Sequence, residues 1–174
     1  MELSEQELVR RQSLQTMREL GINPYPADEY VVTGYSTDVK AQFVDEPLPE
    51  GSEKITGEWH SGEPIRIAGR LMSRRIMGKA SFIEIQDSKG RIQVYVSRDD
   101  IQAPTPEGEQ PTTVEQQMYN IVFKKLLDIG DFIGIAGFVF RTQMGEISLH
   151  AKQLTVLAKS LKPLPIVKYK DGVA

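Results

Sequence analysis

The 174-residue chain contains no cysteine and only two histidines, His60 and His150. Without cysteine it can form no disulfide, no thiolate nucleophile and no cysteine-based zinc site. The histidines are far apart and lack companions at metal-ligand spacing, so we expect no metal site. No run approaches the roughly 18 apolar residues of a membrane helix, and the N-terminus lacks a secretory signal pattern. These absences favour a cytoplasmic protein without a membrane partner.

Acidic residues are missing from one window of an otherwise acidic chain. The net charge of −3 argues against a protein that coats nucleic acid through nonspecific phosphate neutralisation. Between Glu63 and Glu84, however, there is no acid at all. The charged residues in that window are all basic: Arg66, Arg70, Arg74, Arg75 and Lys79. The window predicts a local basic surface.

The N-terminal region, residues 1–26, is predicted to form a helical arm. Ser4 and Glu7 stand at the spacing of a capping box, and Gly21 before Asn23-Pro24 supplies the end of the helix. The predicted buried stripe is Leu8, Leu14, Met17 and Leu20, and the predicted polar side carries Arg10, Arg11 and Arg18. Residues 27–64 contain many turn formers and are predicted to be an irregular connection with one short helical segment, Thr37 to Phe43.

From residue 65 the hydrophobic period changes to two, which is typical of β-strands. The predicted strands are Ile65 to Ile76, Ala80 to Gln86, Arg91 to Val96, Phe132 to Arg141 and Ile147 to Leu157. A polar loop near 102–114 and a helical run from about Val114 to Leu127 separate the third strand from the fourth; the apolar positions of that run are Met118, Ile121, Val122 and Leu126. This order predicts a mainly β fold, a five-stranded OB-fold Greek-key barrel over 65–158 with a helix between strands 3 and 4. Residues 159–174 are predicted to be a solvated, proline-containing linker.

Strand parity sorts core residues from surface residues, because neighbours in a strand point to opposite faces. The predicted core set is Ile65, Ile67, Leu71, Ile83, Ile85, Ile92, Val94 and Val96. The turn at Ser88-Lys89 should pair Phe82 with Tyr95 and Glu84 with Gln93, which puts Phe82 within diagonal reach of Gln93. Unbroken parity along the first strand assigns Arg66, Arg70 and Arg74 to the same outer face.

An outward ring beside an amide and guanidinium groups suits single-stranded nucleic acid. Bases stack on exposed rings, and amides and guanidinium groups hydrogen-bond base edges and phosphates. Each residue also has a plain structural explanation, since Phe82 could simply pack against Tyr95 and the arginines could form a solvated face. Taken together, the fold order, the acid-free window and the outward set favour nucleic-acid binding.

The run from Gly69 to Phe82, followed by Gln86-Asp87 and by Gly90 to Val96, resembles the N-terminal anticodon-binding domain of bacterial-type class II lysyl-tRNA synthetases. Shorter matching segments flank it in the expected order: Arg18 to Pro26, Gly130-Asp131, Gly145 to Leu149, and Leu161 to Pro165. The resemblance covers the chain apart from residues 28–64 and the 102–114 loop. It implies that the barrel binds the anticodon loop of lysine tRNA.

The resemblance also implies a role for individual residues. The central uridine of the anticodon would stack on Phe82, and Gln93 and Arg74 would hydrogen-bond it. Glu146 would help to read a neighbouring base, although a carboxylate in a turn between strands also has a purely structural explanation. Arg66, Arg70, Arg75 and Lys79 would be supporting basic contacts.

The same resemblance implies that this chain does not catalyse aminoacylation by itself. Lysine activation in the family requires ATP, Mg²⁺ and a separate catalytic domain, toward which residues 159–174 would lead. Phe140-Arg141-Thr142-Gln143 superficially resembles a class II motif, but Gln143 stands where glutamate is required. No catalytic residue, no cofactor and no metal ligand is therefore expected in these residues. The full-length family forms homodimers mainly through the catalytic domain, so a fragment of this kind is expected to be a monomer.

Three alternatives remain open at this point. A free-standing OB-fold protein would bind unrelated single strands about as well as a lysine anticodon loop. An aspartyl- or asparaginyl-type anticodon domain shares the fold, the phenylalanine and the glutamine, although the run Arg74 to Lys79 disfavours it. An interaction domain that binds no nucleic acid would leave the outward set unexplained.

Overall fold

The computed structural model describes residues 2–26, 29–43, 64–101 and 118–165. Several predicted segments lie wholly or partly outside the described residues. They are most of the 27–64 connection, the 102–114 loop, the start of the helical run from Val114 to Leu127, and the end of the linker. The elements are helix α1 (Glu5–Glu19), helix α2 (Ser36–Gln42), strands β1 (Ile65–Met77), β2 (Ala80–Gln86) and β3 (Arg91–Ser97), a π-helix (Met118–Leu126), and strands β4 (Phe132–Arg141) and β5 (Ile147–Ala158). None of the described helices is long and apolar enough to cross a membrane.

The five strands close into a barrel in the order β1-β2-β3-β5-β4. The long strand β1 makes closure possible, because its first half pairs with β4 and its second half pairs with β2. Strands β3 and β5 run parallel, and the other neighbouring pairs run antiparallel. The predicted OB-fold, with a helix between strands 3 and 4 and a helix before the barrel, is confirmed.

The barrel core follows the predicted parity on β1 as far as Leu71 and throughout β2 and β3. The side chains of Ile67, Leu71, Ile83, Ile85, Ile92, Val94 and Val96 are buried, and Ile65 packs against their edge. Each such side chain contributes roughly 1.5–3 kcal/mol by leaving water. The π-helix packs into this core with Met118, Tyr119, Val122, Phe123 and Leu126, and Leu127 follows it there.

The helix after strand 3 is wider than an α-helix. Leu127 N donates to Val122 O at 2.9 Å, an i to i−5 bond. The predicted stripe residues Met118, Val122 and Leu126 are buried, and the side chain of Ile121 lies outside the described part of the chain. Sequence spacing predicted a helix here but could not distinguish the π form.

Helix α1 begins at the predicted capping box but buries a different face. Ser4 N donates to Glu7 Oε2 at 2.8 Å, and Glu7 N donates to Ser4 Oγ at 3.2 Å. Met17 is buried as expected, whereas Leu8 is 54% exposed. Arg10, predicted on the polar side, is buried and donates to Ile129 O at 2.9 Å and to Ser160 O at 3.1 Å. The arginine takes this place because carbonyls of the barrel and the outgoing chain need a donor there.

The chain after β5 is anchored before it leaves the barrel. Lys159, predicted to begin a solvated linker, is buried, and its Nζ lies 2.6 Å from Asp128 Oδ2 and 2.8 Å from Asp131 Oδ2. Asp131 also accepts from Ser160 N at 2.8 Å. A buried ammonium needs such paired carboxylates, since an unpaired charge is costly in a low dielectric. Lys159 and Ser160, which were predicted to be solvated, are therefore anchored to the barrel.

Candidate nucleic-acid interface

The outer face of strands β2 and β3 presents the predicted aromatic and amide pair. Phe82 lies opposite Tyr95, with ring centroids 5.4 Å apart, and Glu84 lies opposite Gln93. Phe82 and Gln93 are both half-buried, so part of each side chain reaches solvent. The predicted register is confirmed, and it puts Gln93 diagonally next to Phe82.

Strand β1 contains a bulge that the parity argument did not include. Leu71 pairs with Ile85 and Ser73 pairs with Glu84, so Met72 is an extra residue between them. Beyond the bulge the alternation is reversed, and Arg74 pairs with the buried Ile83 while Arg75 pairs with Phe82. The prediction that Arg74 shares the face of Phe82 is wrong, because the bulge turns it toward the inner side of the sheet.

Arg74 is occupied in holding the π-helix. Its guanidinium nitrogen Nη1 donates to Phe123 O at 2.7 Å and to Leu127 O at 2.8 Å. These carbonyls lie at the end of the helix, where intrahelical donors run out. Burial lowers the pKa of Arg74, and the nearby carboxylates of Asp128 and Asp131 act in the opposite direction. Arg74 is thus a structural link between β1 and the helix.

Arg75 takes the position that had been expected for Arg74. It lies directly across from Phe82 in the sheet and is exposed. Its guanidinium group supplies up to five donors in a planar fork, which suits a base edge or a phosphate. The outer face therefore brings together the ring of Phe82, the amide of Gln93 and the guanidinium group of Arg75.

The other two arginines of the first strand lie before the bulge, away from Phe82. Arg66 pairs with Ala136 and its guanidinium carbon lies 4.7 Å from the centre of the Tyr30 ring. Arg70 pairs with Gln86 across the sheet, four residues along β2 from Phe82, and lies 4.7 Å from the centre of the Phe132 ring. At about 3.3 Å per residue, Arg70 is on the order of 13 Å from the Phe82 row. Arg66 and Arg70 therefore do not lie beside Phe82 and Gln93, as had been predicted for supporting contacts.

The turn between β1 and β2 brings Lys79 to the edge of the same face. Met77 pairs with Ala80, which leaves Gly78-Lys79 as a two-residue turn, and Gly78 has φ +66. Glycine suits this turn because other residues rarely adopt a positive φ. Tyr119 Oη donates to Gly78 O at 3.1 Å and lies 2.7 Å from Ser81 Oγ, so the π-helix supports the turn. Lys79 is exposed.

Glu146 lies in the loop between β4 and β5. Its backbone pairs with Thr142, since Thr142 N donates to Glu146 O at 2.9 Å, and Gly145 before it has φ +90. Across the parallel pair Gln93 lies beside Ser148, two residues after Glu146. The exposed Glu146 side chain therefore stands at the edge of the outer face, near the end at which β3 begins.

Arg91, Phe140 and His150 also lie on this face and were not among the predicted site residues. Arg91 Nη1 donates to Glu84 Oε1 at 2.8 Å, which neutralises a carboxylate next to Gln93. Phe140 and His150 extend the aromatic row beyond Tyr95. Alternation around Val139 in β4 would have marked Phe140 as outward. Arg75 required knowledge of the bulge, for which the sequence carries no plain signal.

Together these residues have the chemistry of a binding surface. A half-buried ring, an amide and a cation lie together on the face of β2 and β3, between the β1–β2 turn and the β4–β5 loop. This is the face on which OB-folds bind oligonucleotides. Among the described residues no group of three or more His, Cys, Asp or Glu side chains could hold a metal ion.

A family comparison decides the class of protein. Residues 65–157 match the tRNA anticodon family, described as OB-fold nucleic acid binding domain. The chain belongs to this family. The matched range covers the five strands except for Ala158, and the outer face described above is the face that OB-fold domains use for oligonucleotides.

Three curated relatives of this OB-fold domain carry the name lysine–tRNA ligase. The protein from Porphyromonas gingivalis is 54% identical over 172 residues, covering 99% of this chain and 26% of the relative. That from Azobacteroides pseudotrichonymphae is 53% identical, covering 98% of this chain and 30% of the relative. The protein from Christiangramia forsetii is 48% identical, covering 98% of this chain and 26% of the relative. The chain thus spans between about a quarter and a third of the length of these relatives.

Proposed function

We propose that this OB-fold domain binds the anticodon loop of lysine tRNA as the anticodon-reading part of a lysine–tRNA ligase. The observation that carries the proposal is the joint placement of Phe82, Gln93 and Arg75 on one outer face. Relatives that are 48–54% identical over nearly the whole chain are named lysine–tRNA ligase, which supports the choice of tRNA.

In this proposal each residue has a distinct role. The central uridine stacks on the exposed part of Phe82, a contact worth about 1–3 kcal/mol. Gln93 hydrogen-bonds the edge of that base, because an amide offers both a donor and an acceptor. Arg75, in place of Arg74, supplies the guanidinium donors. Lys79 contacts phosphate from the β1–β2 turn, and Glu146 reads a neighbouring base from the β4–β5 loop.

The longer relatives set the context for the proposed role. Attachment of lysine to tRNA, with ATP and Mg²⁺, would be carried out by residues outside this chain, in a class II catalytic domain. Homodimer formation would likewise depend on that domain, and the 174-residue chain is expected to be a monomer. A cytoplasmic location follows from a role in translation.

Binding selectivity tests the proposal directly. The 174-residue chain is titrated at about 0.1 M salt with a lysine anticodon stem-loop, an aspartate anticodon stem-loop and an unrelated single strand of equal length. Preference for the lysine loop supports the proposal. Equal affinity for the lysine loop and the unrelated strand, with a steep salt dependence, would assign a general single-strand binder. Preference for the aspartate loop would assign the aspartyl or asparaginyl type, and binding to none of the three would contradict anticodon reading by this chain.

A further inference from the structure

The outer face carries more aromatic surface than one stacked base needs. The Tyr95 ring lies at the centre of a cluster, with centroid distances of 5.4 Å to Phe82, 6.1 Å to Phe140 and 5.0 Å to His150. These rings come from four strands, β2, β3, β4 and β5. Phe82, Tyr95 and His150 form one row across the sheet, and Phe140 lies diagonally beside that row. Phe82 lies on one side of Tyr95 and Phe140 lies on the other.

Phe140 reaches Tyr95 by leaning over strand β5. Phe140 pairs with Ser148, and Ser148 pairs with Gln93 on β3, so one strand separates the two rings. Neighbouring strands lie about 4.8 Å apart, which puts β3 and β4 roughly 10 Å apart. The centroid distance of 6.1 Å therefore requires the rings to lean toward each other above Ser148, which is fully buried. A small residue at this position leaves the space that the rings occupy.

The far side of the cluster is held in place by a polar pair. The His150 ring meets Tyr95 edge-on at 90°, and its Nε2 lies 3.0 Å from Asp100 Oδ2. His150 is 8% exposed, so its ring supports the cluster from below. Tyr95 and Phe140 are each half-buried. The two rings are thus fixed by their neighbours and partly open to solvent, as a preorganised binding surface requires.

We propose that Tyr95 and Phe140 form a second stacking position, for the anticodon base adjacent to the one on Phe82. The inference rests on the proposed function and extends it from one stacked base to two. OB-folds that bind single strands stack successive bases on successive aromatic side chains. Glu146 supports the same assignment, because its backbone pairs with Thr142, which follows the end of β4 two residues beyond Phe140. Its carboxylate stands beside the second position, where it can accept from the edge of a neighbouring base.

A thermodynamic cycle between protein rings and RNA bases tests this inference. The lysine anticodon stem-loop is prepared in four forms: intact, and with an abasic site at the central position or at either neighbouring position. Dissociation constants are measured for the parent chain and for Phe140→Leu, Phe82→Leu and Phe132→Leu. Phe132 is the matched control, since it lies on the same strand, is 39% exposed and sits under Arg70 away from the cluster.

We expect Phe140→Leu to weaken the intact loop about tenfold. One neighbouring abasic loop should bind the parent and Phe140→Leu equally, because the stacked base is already absent. Phe82→Leu and the parent should bind equally only the loop with the central abasic site. Phe132→Leu should bind all four loops as the parent does. If Phe82 couples to the central base but Phe140 couples to neither neighbour, the second position is refuted and the proposed function stands. If Phe82 does not couple either, both fail.

A measurement on the unaltered chain covers the case in which Phe140→Leu does not fold. Loops with 5-iodouridine at either neighbouring position are bound and irradiated, and the attachment site is found by mass spectrometry. Attachment to Tyr95 or Phe140 from one neighbouring position is expected. Attachment only to residues outside the cluster would overturn the inference.

Discussion

Arg74 and Arg75 are consecutive in β1 but serve opposite sides of the sheet. Arg74 donates to Phe123 O and Leu127 O at the end of the π-helix, whereas Arg75 lies across from Phe82 on the outer face. The bulge at Met72 sets this division, because it reverses the alternation of every later residue in the strand.

Substitution of Arg74 should lower stability, whereas substitution of Arg75 should lower RNA affinity. Arg74→Ala removes two charged hydrogen bonds from buried carbonyls and is expected to lower the free energy of unfolding by about 2–3 kcal/mol. Arg75→Ala should change it by less than about 0.5 kcal/mol, as is usual at exposed positions, while weakening the lysine anticodon loop. Chemical denaturation and titration of both variants provide the check. The reverse assignment of the two effects would contradict the observed register.

Phe82→Ala should remove binding energy with little loss of stability. Because the ring is half-buried on the outer face, we expect anticodon-loop affinity to fall by about 1–3 kcal/mol. The melting temperature should stay within a few degrees of the parent value, and Phe132→Ala serves as the control for loss of an exposed ring. A large fall in melting temperature would mark Phe82 as a core residue.

The buried Lys159 should matter far more to stability than an exposed lysine in a similar pair. Lys159→Met leaves Asp131 without its cation in a fully buried position, and we expect a loss of about 3–5 kcal/mol in the free energy of unfolding. Lys89→Met breaks the contact between Lys89 and Asp38, whose side chains are 49% and 44% exposed, and should cost far less, because solvent screens an exposed ion pair. Equal losses in urea denaturation would show that the 159–160 segment is not anchored to the barrel.

Asp87 should make part of the stability depend on acidic pH. Burial acts to raise the pKa of Asp87, but hydrogen bonds from Ser36, Lys89 and Gly90 outweigh it, and the pKa is lowered from 3.8. The folded state therefore favours the carboxylate. Its contribution is fully present above pH 3.8 and is lost as the pH falls through the lower, folded-state value.

The comparison of the parent with Asp87→Asn isolates this effect. The difference between their free energies of unfolding should be largest near neutral pH and should shrink below pH 3.8, because protonation removes the same charge from the parent. Groups that titrate in both chains cancel in this difference. A difference that does not vary with pH would mean that the carboxylate charge does not tie helix α2 to the β2–β3 turn.

Strand alternation predicted the barrel and half of the site, because burial of one face imposes a strict period of two. It gave the core positions around Ile83 and Val94 and the outward pair of Phe82 and Gln93. It failed for Arg74, since a bulge adds one residue without a distinctive side chain. Arg10 and Lys159 were misplaced for another reason: their burial depends on carbonyl and carboxylate partners more than 25 residues away. Glu146 was named through family resemblance alone, and its role stays a prediction.

Base selectivity in Gln93→Ala tests the central claim most directly. The ratio of dissociation constants is measured for lysine anticodon loops with cytidine and with uridine at the central position, for the parent chain and for the variant. We predict a clear preference for uridine in the parent and a ratio near one in the variant, because the amide that contacts the base edge is gone. An unchanged preference in Gln93→Ala would contradict the claim that this face of β2 and β3 reads the central base.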